Sequence, residues 1–187
     1  MLFRSSHTQS GVPAKSAATP GLSSSGTIAI NATPEVVFEV INDPDKIAQV
    51  IPGCESLQVI GEHHYRADVT VGLGIVKARY RVEVRISEQD PPRSFVLSGK
   101  GISAMGVSEG TARVTLMPRD GGATLHYEFG ANISGKVAAI GGRMLESAAK
   151  LVLKQLFEKL AHVARGEAPA SKRGWWKKLT SNDSDKR

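Results

Sequence analysis

Long apolar runs are missing from this chain. No stretch approaches the roughly 18 uninterrupted apolar residues that a membrane-crossing helix needs, so no transmembrane segment is expected. Cysteine occurs once, as Cys54, which excludes an internal disulfide and fits a reducing compartment. Acidic residues are absent from positions 1–26, and that stretch also lacks the apolar core of a secretory signal. Catalytic signatures are missing as well: there is no Gly-x-Ser-x-Gly elbow and no phosphate loop. His63 and His64 are adjacent, so on a strand they would point to opposite faces, and His7, His126 and His162 have no ligand-like spacing with them. No metal site is expected.

What is present suits one folded domain with tails. The 187 residues are too few for two ordinary domains, and 41% hydrophobic with 22% charged residues is globular composition. The net charge of +6 is placed unevenly. Arg4 and Lys15 give the first 26 residues +2, residues 27–164 balance to zero, and residues 165–187 carry +4. A nucleic-acid binder would concentrate base on its folded surface, so no nucleic-acid partner is expected. A basic tail that meets an anionic surface is expected instead.

Residues 1–25, rich in Ser, Ala, Gly and Pro, read as a disordered arm. Residues 26–165 read as the domain, and 166–187 as a basic tail containing tryptophan. Thr27–Asn31 reads as a short strand. Thr33, Pro34 and Glu35 then open a helix whose apolar face is Val36, Val37, Val40 and Ile41, and Asn42-Asp43-Pro44 ends it. A short second helix over about 45–51 stops at Pro52-Gly53, with Asp45 as its cap.

The period then changes to two. Tyr65 to Val71, Val76 to Ile86, Glu109 to Leu116 and Leu125 to Ile133 alternate between apolar and polar residues, Ser94–Ile102 reads as a further strand kinked at its glycines, and turns fall at Gly72-Leu73-Gly74, Asp90-Pro91-Pro92 and Asp120-Gly121-Gly122. A long helix over about 136–164 follows, its stripe being Met144, Leu145, Ala148, Leu151, Val152, Leu156, Leu160 and Val163. The order is strand, two helices, about six strands, long helix. This is an α+β fold in which a curved antiparallel sheet hides its apolar face against the C-terminal helix. Small inward residues (Ala67, Ala78, Gly110, Ala112, Ala131) leave either a cavity or a close helix contact.

Candidate chemistry is sparse. Cys54 lies beside Glu55 with no cation near it, so it reads as a packed thiol. Gly99, Gly101, Gly106 and Gly110 lie between strands with no helix following, which excludes a dinucleotide loop. They read as strand kinks or as a lid around Ile102–Val107 with Met105 at the pocket mouth. Asp68, Glu83, Glu109, His126 and Glu128 all fall on the outward phase, which argues against acid–base work in the pocket. In Ser171–Thr180, Trp175 and Trp176 sit among Lys172, Arg173, Lys177 and Lys178, a pattern suited to weak anchoring on an anionic membrane surface or to docking on protein.

Taken together, Asn42-Asp43-Pro44, Ile51-Pro52-Gly53-Cys54-Glu55, Asp90-Pro91-Pro92, the glycines through Gly110 and Gly141-Gly142-Arg143 resemble the carbon monoxide dehydrogenase G-subunit family over about residues 26–163. That family belongs to the START-like (SRPBCC) helix-grip superfamily. The resemblance implies a sheet gripping the last helix around a hydrophobic small molecule such as a respiratory quinone. It also implies partnership with molybdenum hydroxylase subunits, and a cytoplasmic protein peripheral on the inner face of the cytoplasmic membrane. The role implied is accessory, not catalytic. Strand and helix phase place Tyr65, Tyr80, Met105, Tyr127, Ile140 and Met144 around the ligand. Two other readings stay open: a helix-grip cyclase or hydrolase acting on a small apolar substrate, and an assembly factor whose cup is packed shut.

Overall fold

The computed structural model describes residues 21–73 and 76–167. Strand β1 (Gly21–Ile30) is followed by helices α1 (Pro34–Asn42) and α2 (Pro44–Val50). Strands β2 (Cys54–Gly61), β3 (His64–Leu73), β4 (Val76–Asp90), β5 (Ser94–Ser103), β6 (Gly106–Arg119) and β7 (Gly122–Ile133) come next. A 3₁₀ turn (Gly135–Ile140) and helix α3 (Gly142–Ala164) close the domain.

All seven strands form one antiparallel sheet in the order β1-β7-β6-β5-β4-β3-β2. Strands β2 to β7 are a meander of adjacent hairpins. Strands β1 and β2 are neighbours in sequence but lie at opposite edges, so α1 and α2 must carry the chain across the inner face. This is the helix-grip arrangement expected from the alternating strands and the last helix.

The inner row follows the period-two reading. Tyr65, Ala67 and Val69 of β3 pair with Val84, Val82 and Tyr80 of β4, all on one face. The outer face carries charge of alternating sign. Arg66 reaches Glu83 at 2.8 Å, Arg81 reaches Asp68 at 3.6 Å, Arg113 reaches Glu88 at 2.8 Å, and Lys100 pairs with Glu109. Such exposed pairs stabilise little, about 0–1 kcal/mol each. They do fix which side is wet, because a one-residue slip would bury every one of them.

Several elements differ from the sequence expectation. Strand β1 begins at Gly21, so residues 21–25, assigned above to the arm, pair with Glu128–Asn132 of β7. Serine and glycine have little strand preference of their own, and here it is the neighbouring strand that orders them. Strand β2 was not placed by the pattern. It is an edge strand with register shifts at 54–56 and 59–61, which blur its alternation.

Thr33 occupies the N-cap of α1 without a side-chain hydrogen bond. Asp43, not Asp45, caps α2: its carboxylate accepts from the N–H groups of Asp45 at 2.9 Å and Lys46 at 3.1 Å. The long helix does not start near Lys136. Gly141 takes φ +96° and separates the 3₁₀ turn from α3.

The main core joins α1, α2 and the C-terminal half of α3 to the sheet. Phe95 (1% exposed) meets Phe38 of α1 edge to face, with centroids 5.9 Å apart at 75°. Leu160 of α3 is buried with them.

Candidate functional site

The hydrophobic core is divided in two. One cluster gathers Ile30, Val37, Tyr65, Phe95, Leu116 and Leu160 with their neighbours. A smaller one gathers Ile133, Val137 and Leu145, with Leu22, Met105 and Ile140 against them. Between the two, inward-facing apolar residues remain half-exposed: Tyr80, Val82 and Val84 of β4, Ala112 of β6, Phe129 of β7. On the arc of α3 that carries buried Leu145 and Leu160, Ala149 and Val152 are likewise only half-buried. Helix α3 is held at its two ends, by α1 and α2 near Leu160 and by the 3₁₀ turn near Leu145, and along its side by β1. Its middle leaves these inward residues of the central strands only partly covered, and their exposure marks an apolar gap beneath the helix.

Glycines shape the floor of this gap. Gly99 and Gly110 are cross-strand partners. A Cβ on Gly110 would fall 2.5 Å from the carbonyl oxygen of Gly130, so close backbone approach demands glycine there. A Cβ on Gly101 would meet Tyr80 Cδ1 at 3.6 Å, Val82 Cγ2 at 3.7 Å and Ser108 O at 4.0 Å, which is ordinary contact. Gly99 is similar, with Glu83 O at 3.5 Å. Gly101 is buried and Gly99 half-buried, so at either position a methyl group would sit in ordinary contact with its neighbours. Gly99 and Gly101 are cross-strand partners of Val84 and Val82, and together with Tyr80 and Phe129 they lie on the same inner face of the sheet.

The six residues expected to line the ligand do not converge. Tyr80 stands beside Gly101 at the gap. Tyr65 is buried in the larger cluster, its hydroxyl donating to Asn42 O at 3.4 Å, and burial, aided by Asp43, pushes its pKa up. Met105 and Ile140 belong to the smaller cluster. Tyr127 stacks on Phe157 at 5.1 Å and lines a separate groove of about 430 Å³ between β1 and α3. Met144 is 64% exposed and does not face the gap. Leu151 of the expected stripe is 50% exposed for the same reason, because α3 leans toward β1 and turns this flank outward. Val82, Val84 and Phe129 were legible as inward residues, but nothing in the pattern showed that packing would leave them uncovered.

The expected lid around Ile102–Val107 is a pinned hairpin turn. Met105 N–H donates to Ser103 Oγ at 3.1 Å, the Ser103 hydroxyl donates to Gly106 O at 3.3 Å, and Val137 N–H donates to Met105 O at 2.9 Å.

Cys54 opens β2 half-buried, its thiol donating to Ser56 O at 3.4 Å, and burial pushes its pKa up against the pull of Lys159, which disfavours the thiolate. Asp68, Glu83, Glu109, His126 and Glu128 lie on the outer face. There Lys100 and Glu109 border a shallow charged depression of about 480 Å³, and His126 meets Glu128 at 3.3 Å. No described helix is long and apolar enough to cross a membrane. Lys172, Arg173, Trp175, Trp176, Lys177 and Lys178 lie outside the described residues.

Residues 26–165 match the family described as the G subunit of carbon monoxide dehydrogenase (CoxG). The chain is 34% identical to a conserved protein from Geobacillus kaustophilus, over 78% of this chain and 96% of that one, with a TM-score of 0.74. It shares its fold with the ZhuI aromatase/cyclase from Streptomyces sp. R1128, at 14% identity, 82% and 99% coverage and a TM-score of 0.58. It also shares it with a START superfamily protein from Mycobacterium smegmatis, at 14% identity, 77% and 97% coverage and a TM-score of 0.58. No curated protein sequence matches.

Proposed function

Because the chain belongs to the carbon monoxide dehydrogenase CoxG family, we propose that it serves a molybdenum hydroxylase as a non-catalytic accessory protein. It holds a hydrophobic small molecule between its two core clusters and couples the enzyme to the inner face of the cytoplasmic membrane. The observation that carries the ligand half is the partial exposure of Val82, Val84, Ala112 and Phe129 on the inner face, beside Gly99 and Gly101. A well-packed core leaves no such exposure, which favours a carrier over an assembly factor with a packed cup.

A respiratory quinone suits this chemistry. Its flat ring would lie on the glycine floor, its long apolar tail would run between the valines and Phe129, and the Tyr80 hydroxyl would donate to a ring carbonyl. The quinone, when bound, supplies the redox capacity. The side chains bind it, orient it and exclude water.

The non-catalytic assignment rests on the inner face. Among the described residues of β3 to β7, the carboxylates and histidines of the alternating rows lie on the outer face, so none of these strand carboxylates or histidines meets a substrate in the gap. The membrane half rests on the tail, where Trp175 and Trp176 favour the interface and each neighbouring base adds about 1 kcal/mol near an anionic surface.

The test is mass spectrometry of organic extracts from the protein purified out of its own cytoplasm and membranes. Near-stoichiometric quinone is expected. An empty protein that also fails to take up added quinone overturns the carrier reading.

A further inference from the structure

The N-terminal half of α3 carries an apolar flank that no described residue covers. Met144 is 64% and Leu151 50% exposed, about two turns apart on one side of the helix, with half-buried Ala148 between them. The other flank, with Leu153 and Phe157, is the one that borders β1. About five turns above Met144, His162 projects in the same direction.

At His162 the chain turns back. Gly166 takes φ +73°, its N–H donates to Val163 O at 3.0 Å, and Glu167 N–H donates to His162 O at 3.1 Å. The Glu167 carboxylate is then gripped by His162 Nδ1 at 2.7 Å and by Arg165 Nη2 at 3.0 Å and Nε at 3.1 Å. The described chain thus ends fastened to the His162 side of α3, at the head of the uncovered flank.

We propose that residues 171–180 of this same chain dock on that flank, Trp175 and Trp176 covering Met144, Ala148 and Leu151 whenever no membrane competes for them. Reach allows it. The segment from Glu167 to Trp175 spans up to about 26 Å when extended, against about 17 Å along α3 from His162 to Leu151. Chemistry favours it: two adjacent indoles present a broad apolar surface while their N–H groups stay wet. The contact is apolar and not ionic, because Glu158, the nearest carboxylate beyond Leu151, already meets Lys154 at 3.9 Å. The flank and the tryptophans would then shield each other in the membrane-free protein. The proposal is independent of what fills the gap, and it adds to the tail's membrane role a resting position from which that role begins.

The chain's only tryptophans are these two, so indole fluorescence of the full-length protein reads the tail alone. In lipid-free buffer the emission should be blue-shifted and shielded from acrylamide. Leu151→Ser should lower the docked-to-free ratio about tenfold, the loss expected when one leucine side chain leaves an apolar contact. Met144→Lys should act in the same direction. Met117→Ser, at an equally exposed apolar residue of β6, should leave the emission unchanged.

Emission of fully hydrated indole in wild type overturns the proposal. So does shielded emission that neither Leu151→Ser nor Met144→Lys alters. Sedimentation with phosphatidylglycerol vesicles reads the membrane role separately: if that binding fails while the buffer result holds, only the membrane half of the proposed function falls.

Discussion

Tyr127 lies across Gly26, its cross-strand partner on β1, and stacks on Phe157 of α3 with centroids 5.1 Å apart. A Cβ at position 26 would sit 2.7 Å from the phenolic oxygen, so the bare glycine is what lets the ring reach the helix. This contact joins the edge strand, β7 and α3, and it draws α3 toward β1.

Loss of the stack should loosen that junction. Phe157→Ala is expected to destabilise by about 2–3 kcal/mol, and Gly26→Ala by about 1 kcal/mol as the ring is pushed aside. Because both act on one contact, the double variant should cost less than the sum. Urea unfolding of the four proteins in a cycle checks this.

The glycines should separate by role. Gly101→Ala adds a methyl group in ordinary contact beside Tyr80 and is expected to weaken quinone binding about threefold with little change in Tm. Gly110→Ala should do the reverse, lowering stability by about 1–3 kcal/mol through the contact with Gly130 O. Ligand titration and thermal melts on both variants distinguish them. Equal effects on binding would contradict the assignment of the floor.

Cys54 should react slowly with a maleimide at neutral pH. Burial raises its folded pKa above the ordinary thiol value of 9.0. For a group raised in this way, the associated stability is fully present below the unfolded pKa and lost as pH rises through the folded one. Labelling should therefore accelerate, and stability begin to fall, only in the alkaline range above about pH 9. Fast labelling at neutral pH would contradict the packed reading.

The Glu167 clasp should hold far into acid. Hydrogen bonds from Arg165 and then His162 lower its pKa from 4.5 to about 2. A lowered carboxylate pKa gives stability that is present above 4.5 and lost as pH falls toward about 2. Amide protection at Gly166 and Glu167 should persist at pH 4 and vanish near pH 2, and Glu167→Gln should remove it throughout.

Much of this architecture was legible because local rules and global packing agree. The alternation in β3, β4, β6 and β7 has one wet and one dry face whatever lies on it, and the Pro34 helix start and the break at Pro44 follow from backbone sterics alone. Where local signal is weak, the neighbouring strand decided: β1 extends back to Gly21 because β7 offers partners to that point, and β2 closes the other edge despite its broken alternation. The candidate site was harder. Phase shows that Tyr65, Tyr80 and Tyr127 point inward, but inward covers a buried core, a gap and a helix stack.

By itself, then, the sequence determined the fold class, the side of the sheet that faces inward and the absence of charge from that side, since all three follow from residue period and polarity. Only the tertiary structure decided that the core is split, that Val82, Val84 and Phe129 rather than Tyr65 or Met144 border the gap, and that no described residue covers Met144 and Leu151. Those facts depend on where α3 rests. Its position is set by distant contacts acting together (Tyr127 with Phe157, Leu160 with the α1 and α2 cluster, Leu145 with the 3₁₀ turn), and no local pattern encodes their balance.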